Sequence, residues 1–264
     1  MKSSSVILLS LIFGCFSPIH SKNSTLSESL WLKDARSISL GGGINAIDQS
    51  ISQGLSVSYF VPYQLLELSS RSIKIVQKTK WMNLDGLFVQ TGDEVFMENY
   101  LSLGVSRALS ESFIMGVKAG YFHCSSIIDE KASTWLSELS CKYKPYDKLQ
   151  IYIYLFNPTG SKIKRGDDLI CMNQSFHLGG SFYPVKKIEW LIELEKIQQE
   201  SINWHLGIEY TICDVFCIRA GLSANPLRPS WGIGGKIRRF KYALGGNVHP
   251  VLGLSSCFSL YYIW

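Results

Sequence analysis

The chain has little charge for its size. Of its 264 residues only 18% are Asp, Glu, Lys or Arg, against roughly 25% in a typical soluble domain. Proline is scarce, at 8 residues. Long hydrophobic runs are missing as well. The longest nearly pure one, Val6–Phe16, falls short of the roughly 20 residues that a membrane-spanning helix needs, which excludes a helical membrane protein. Disorder is excluded by what is present: 46% hydrophobic and 12% aromatic residues, with a mean hydropathy of +0.10. The excess of five positive charges is too small and too scattered to imply nucleic acid. What remains is a large apolar content spread thinly, as it is along β-strands.

The first residues read as an export signal. Lys2 gives a minimal positive start, Val6–Gly14 an apolar stretch, and Ser17-Pro18-Ile19-His20-Ser21 a cleavable end. The expected division is residues 1–21 as signal peptide, 22–53 as an N-terminal segment forming a first strand or a small plug, and 54–264 as the body of the fold. A buried N-terminal helix is one alternative. Lipoprotein processing at Cys15 is another, but Phe13 is bulky where that signal wants a small residue. Six cysteines follow the signal: Cys124, Cys141, Cys171, Cys213, Cys217 and Cys257. They sit in apolar stretches and lack the C-x-x-C spacing of zinc or redox sites. They read as small apolar packers, with one adventitious disulfide as the alternative.

From about Leu55 onward nearly every segment alternates apolar and polar residues. Ile202, Trp204, Leu206, Ile208 and Tyr210 take one face, and Asn203, His205, Gly207, Glu209 and Thr211 the other. Phe216, Ile218, Ala220 and Leu222 likewise oppose Cys217, Arg219 and Gly221. This period of two is the strand signal. About fourteen such segments of roughly ten residues each suit transmembrane barrel strands with their turns.

The apolar face must meet either a second sheet, as in a soluble sandwich, or lipid. Charges deep within strands on the opposite face favour lipid outside and a polar lumen. So do aromatics near strand ends (Trp190, Tyr210, Trp231, Tyr242, Tyr262), as in interfacial girdles. Counted back from Trp264, the connections alternate long and short, the longest being Asn157–Met172. That alternation is expected of outer loops and periplasmic turns. The expected fold class is therefore all-β, an antiparallel transmembrane β-barrel of about 14 strands, with a periplasmic β-sandwich as the soluble alternative.

Several motifs resemble a known group. Ala35-Arg36-Ser37-Ile38-Ser39-Leu40-Gly41-Gly42 resembles the A-R-S-x-x-L-G-G opening of outer-membrane barrels of the PorV/PorQ group, relatives of the FadL-like transporters common in Bacteroidetes. Asn157-Pro158-Thr159, Arg219-Ala220-Gly221-Leu222-Ser223-Ala224-Asn225-Pro226 and His249-Pro250-Val251-Leu252-Gly253-Leu254 continue the likeness. Where the group has Asn-Pro-Ala-Gly-Leu, this chain has Ser52-Gln53-Gly54-Leu55 and keeps only Gly-Leu. The resemblance implies a non-enzymatic barrel of about fourteen strands. It would be either secretion-associated or scaffolding, or a channel for small or hydrophobic solutes. Its location would be the outer membrane of a Gram-negative bacterium. Its partners would be outer-membrane lipid, the barrel-assembly machinery and secretion-system components, with no nucleic acid and no cofactor.

A barrel hydrolase of the outer-membrane phospholipase type needs a His and a Ser two residues later on the same face, plus an orienting polar group. His205 is followed on its face by Gly207, and His177 by Gly179 and Ser181, so neither completes the set and no catalytic, cofactor-binding or metal residue is assigned. The lumen-facing polar candidates are Glu189, Glu193, Glu195, Asn203, His205, Glu209, Arg219, Lys236, Arg238 and Lys241. The acids are expected to pair with the bases across neighbouring strands. Gly232 and Gly234 lie inside a strand, where glycine relieves crowding in a narrow lumen. Lys162, Lys164, Arg165, Asp167 and Asp168 fall in the longest loop, read as solvated or as partner-binding. Phe258, Leu260, Tyr262 and Trp264 resemble the terminal signal read by the assembly machinery.

Overall fold

The computed structural model describes residues 33–44, 53–127, 131–165, 168–198 and 200–264. The expected signal peptide and Asp167 lie outside them.

The described strands are β1 (Gly54–Val61), β2 (Ser70–Lys78), β3 (Asn83–Gly92), β4 (Phe96–Ser110), β5 (Phe113–Ser126), β6 (Ala132–Tyr146), β7 (Leu149–Phe156), β8 (Lys162–Arg165), β9 (Asp168–Cys171), β10 (Ser175–Val185), β11 (Ile188–Ile197), β12 (Asn203–Cys213), β13 (Phe216–Ser223), β14 (Arg228–Ile237), β15 (Phe240–His249) and β16 (Gly253–Tyr262). Fourteen of them close into one antiparallel barrel, and β8 and β9 form a separate hairpin between β7 and β10. The seam is β1 on β16, in register from Leu55↔Tyr262 to Val61↔Ser256. A sandwich would leave sheet edges, whereas here every barrel strand has two neighbours. The closed ring overturns the soluble-sandwich alternative.

The alternation fixes which way each side chain points. Ile73, Ile75, Leu101, Leu103, Val105, Trp190, Ile192 and Leu194 are exposed on the outer wall. Ser56, Ser58, Ser72, Ser102, Ser181 and Ser259 are buried inside. An apolar band that runs round the barrel is far larger than the few hundred Å² a soluble monomer exposes. The six described cysteines are all free.

Two-residue turns join β4–β5, β6–β7, β10–β11, β12–β13 and β14–β15 at one end of the barrel, and longer connections lie at the other. The longest, between β7 and β10, is built rather than merely solvated. Its β8–β9 hairpin tucks Ile163 under the rim, 1% exposed, beside buried Met172. Thr134 Oγ1 on β6 donates to the Lys162 carbonyl (2.8 Å). These residues join Val89, Tyr100, Phe122, Leu136 and Phe156 in an apolar cluster that fills the long-loop half of the lumen.

Candidate functional site

The lumen is occupied by the chain's own N-terminal segment. Residues Ala35–Ser39 form one short helix, α1. Asp34 caps it, accepting from the Ser37 N–H at 2.6 Å. Its other end closes as a Schellman motif. The Gly42 N–H reaches the Ser37 carbonyl (2.8 Å) and the Gly41 N–H the Ile38 carbonyl (3.3 Å). Gly41 and Gly42 have φ of 93° and 86°, a region glycine enters at little cost. The Leu-Gly-Gly sequence is therefore the stop of a helix.

The barrel wall is cut back to receive this segment. A Cβ on Gly207 would lie 2.8 Å from the Leu40 carbonyl oxygen, and one on Gly221 2.4 Å from the Gly41 nitrogen. One on Gly232 would lie 2.4 Å from Ser39 Oγ, and one on Gly245 2.4 Å from the Ala35 carbonyl oxygen. The four glycines sit on adjacent strands β12 to β15, where Gly207 pairs with Gly221 and Gly232 with Gly245. Together they form a groove that takes the segment's backbone and the small Ser39 side chain, and leaves no room for a side chain on the wall itself.

Polar contacts fix the segment in place. The Ala35 N–H donates to Ser259 Oγ (2.9 Å) and the Gly41 N–H to Ser230 Oγ (3.1 Å). The Tyr261 hydroxyl donates to Asp34 (3.3 Å). Arg36 carries the charge. Its Nη2 meets Glu189 Oε2 at 2.8 Å and its Nε meets Glu209 Oε2 at 3.0 Å. Arg219 Nε approaches the same Glu209 oxygen at 2.5 Å. Tyr183 donates to Glu189 (2.9 Å). Two carboxylates and two guanidiniums thus neutralise one another within the barrel, the condition under which buried charges persist.

A second cluster grips the far end of the segment. The Ile44 N–H donates to Glu193 Oε1 (3.1 Å), which also lies 2.9 Å from His177 Nδ1. His205 Nδ1 lies 2.7 Å from the Gly41 carbonyl oxygen, and its Nε2 lies 3.1 Å from Glu195 Oε2. Asn203 donates to the same Glu195 oxygen at 3.3 Å.

Of the lumen candidates, Glu189, Glu193, Glu195, Asn203, His205, Glu209, Arg219, Lys236 and Lys241 occupy inward positions on their strands. Arg238 does not. It stands exposed in the turn after β14 with φ of 55°, because a two-residue hairpin needs a left-handed residue there. The expected pairing is also corrected. Glu209–Arg219 forms across β12 and β13, but Glu189 is met by Arg36 of the plug, and Glu193 and Glu195 by histidines. Lys241 faces Lys236 rather than an acid. In the loop, Lys162 and Lys164 are exposed on β8, and Arg165 pairs in register with Asp168. Phe258, Leu260 and Trp264 face outward, and Trp264 Nε1 donates to Gln77 (2.9 Å).

One hydroxyl does stand beside a histidine in the lumen. Ser175, two residues before His177 rather than after it, places Oγ 3.1 Å from Nε2, while Glu193 holds Nδ1. The order is that of nucleophile, base and orienter. However, Ser175 is only 1% exposed and Glu193 is already bonded to the plug. The trio as it stands is a buried clasp with no room for an acyl group.

Beneath α1, at the short-turn end, lies a cavity of about 590 Å³ with Arg36, Glu189, Glu209 and Arg219 in its lining. The whole is a closed fourteen-strand barrel, apolar outside, with a short helix seated in its lumen. That is the architecture of a plugged transmembrane β-barrel. Solved structures share it. The toluene transporter TodX of Pseudomonas putida superposes with a TM-score of 0.64 at 10% identity, over 88% of this chain and 98% of that one. The monoaromatic hydrocarbon channel CymD gives 0.59 at 10% identity, over 88% and 97%. A FadL homologue of Pseudomonas aeruginosa gives 0.54 at 10% identity, over 89% and 94%. The chain thus shares its barrel fold with these channels. No family model and no curated protein matches the chain.

Proposed function

We propose that this chain is an outer-membrane channel for small hydrophobic solutes. The observation that carries this reading is the lumen itself. Its long-loop half is packed by Val89, Tyr100, Phe122, Leu136 and Phe156 around the hydrogen bond that Tyr100 donates to buried Glu138, a mostly apolar interior where a water-filled porin has a polar one. Below it the helix α1 blocks a straight aqueous path, so ions and polar solutes meet the Arg36–Glu189–Glu209–Arg219 cluster. The shared fold with hydrocarbon channels supports the same reading. Aromatic side chains offer a small apolar solute burial and ring stacking at once. The apolar outer wall supports residence in lipid, and the amphipathic last strand, with Phe258 and Leu260 outward, suits reading by the barrel-assembly machinery.

The test is uptake of radiolabelled toluene by outer-membrane-bearing cells that lack their own aromatic channel. Expression of the full chain should raise the initial rate, and Phe122→Asp, which puts a charge in the apolar half, should abolish the gain. An unchanged rate with the chain correctly inserted overturns the reading. A secretion or scaffolding role of the PorV/PorQ type would then rest on the loops, where Lys162 and Lys164 project from the docked hairpin.

A further inference from the structure

The cavity below the plug is unbalanced in charge. Eight lysines and arginines line it against four carboxylates. Three of those carboxylates are already engaged. Glu189 and Glu209 belong to the Arg36 cluster, and Asp85 lies between Lys118 Nζ at 2.6 Å and Lys74 Nζ at 4.0 Å. The fourth, Asp214, stands exposed in the turn between β12 and β13.

Two cations of the surplus face each other on one strand pair, while Lys78 on β2 and Lys142 on β6 complete the basic lining. Lys236 on β14 and Lys241 on β15 are direct partners in the ladder and share its lumen side. No described residue gives either ammonium an ion pair or a hydrogen bond. Directly opposed like charges destabilise a sheet, and this pair stands at the mouth of the cavity, Lys236 exposed and Lys241 half-buried, where the cavity wall limits screening on one side. Arg219, on the next strand, adds a third cation held by Glu209.

We infer that the Lys236–Lys241 pair, at the mouth of this cavity, is a binding site for a phosphate group entering from the short-turn end. Two ammonium groups flanking one tetrahedral dianion each make charge-assisted bonds, and the anion removes the repulsion between them. Lysine suits this role as a compact point charge with three donors. The phosphate is either a free ion or the headgroup of a lipid. The site lies on the other side of α1 from the apolar half of the lumen, and equilibrium binding there is measured without solute passage.

The test uses the purified full chain in a non-ionic detergent, titrated calorimetrically with inorganic phosphate and, separately, with short-chain phosphatidic acid below its micellar concentration. Binding of either is expected, weakened at least tenfold in Lys236→Gln/Lys241→Gln. A free-ion site takes both probes alike; a headgroup site takes the lipid more tightly. The double variant removes a repulsion, so it should keep the wild-type gel shift between boiled and unboiled samples. Should it not, the single variants serve in its place, and Lys241→Arg should retain binding. Phosphate should also raise the melting temperature of the wild type and not of the double variant. Absence of binding by both probes, or binding undiminished by the loss of both lysines, overturns the inference. Because binding is measured at equilibrium, a failure here leaves the uptake result untouched, and the reverse holds too.

Discussion

Arg36 is the residue on which the seating of the plug turns. Among the described residues it is the one plug cation between Glu189 and Glu209, and Arg219 reaches only the second of these. Removing one partner of a buried ion pair costs about 3–5 kcal/mol because the other charge is stranded. Arg36→Met is therefore expected to release α1 while leaving the barrel folded. Hydrogen exchange would show this as faster exchange at residues 35–41 with the barrel strands unchanged. Equal protection in the variant would show that hydrogen bonds alone hold the segment. Gly232→Val tests the same seat from the wall side, since a side chain there would overlap Ser39. It should expose residues 35–41 as Arg36→Met does, without touching a charge.

At the residue scale the sequence was partly legible. Alternation assigned Glu189, Glu193, Glu195, His205, Glu209 and Arg219 to one face, because a strand's period of two permits no other reading. It did not say what those residues would meet. Arg36 lies 153 positions from Glu189 in the chain, and nothing local marks the pairing. Ser175 is not marked by a His-x-Ser spacing, since it precedes His177, although a strand places i−2 and i+2 on the same face alike.

Among the elements, the long strands were legible and the short pieces were not. Helix α1 has five residues, too few to show a helical period or to stand alone in water. Its stability comes from Asp34 at one end, Gly41-Gly42 at the other and the glycine groove beneath. Asp34→Ala should cost about 1 kcal/mol through loss of the cap, with faster exchange at the Ser37 amide as the readout. The β8–β9 hairpin was hidden for the same reason, with four residues in each strand. Lys162 and Lys164 gave the loop a solvated look, while Ile163 between them carries the docking contact. Ile163→Ala should lower stability by about 2–5 kcal/mol and open the loop to limited proteolysis. A loop that stays resistant would place its anchor at Met172 instead.

For the whole molecule, the shortage of charge and of long apolar runs has one cause. Only alternate residues of each strand face outward, so the apolar content never accumulates in sequence. The polar alternates face a lumen that the chain fills with its own N-terminal segment. Strand number and closure followed from counting segments, since each is long, regular and bounded by turns. The occupant of the lumen was legible only as an open choice, a first strand or a small plug within 22–53, because its contacts join residues 33–44 to strands at the other end of the chain.

The central claim is that the apolar outer wall lies in lipid around a closed barrel. Fractionation of cells expressing the full chain, followed by gel electrophoresis of boiled and unboiled samples, tests it most directly. The expected result is recovery in the outer membrane, with the unboiled band migrating apart from the boiled one because the closed sheet resists detergent. Recovery in the soluble periplasm, with a single band whether or not the sample is heated, would contradict it.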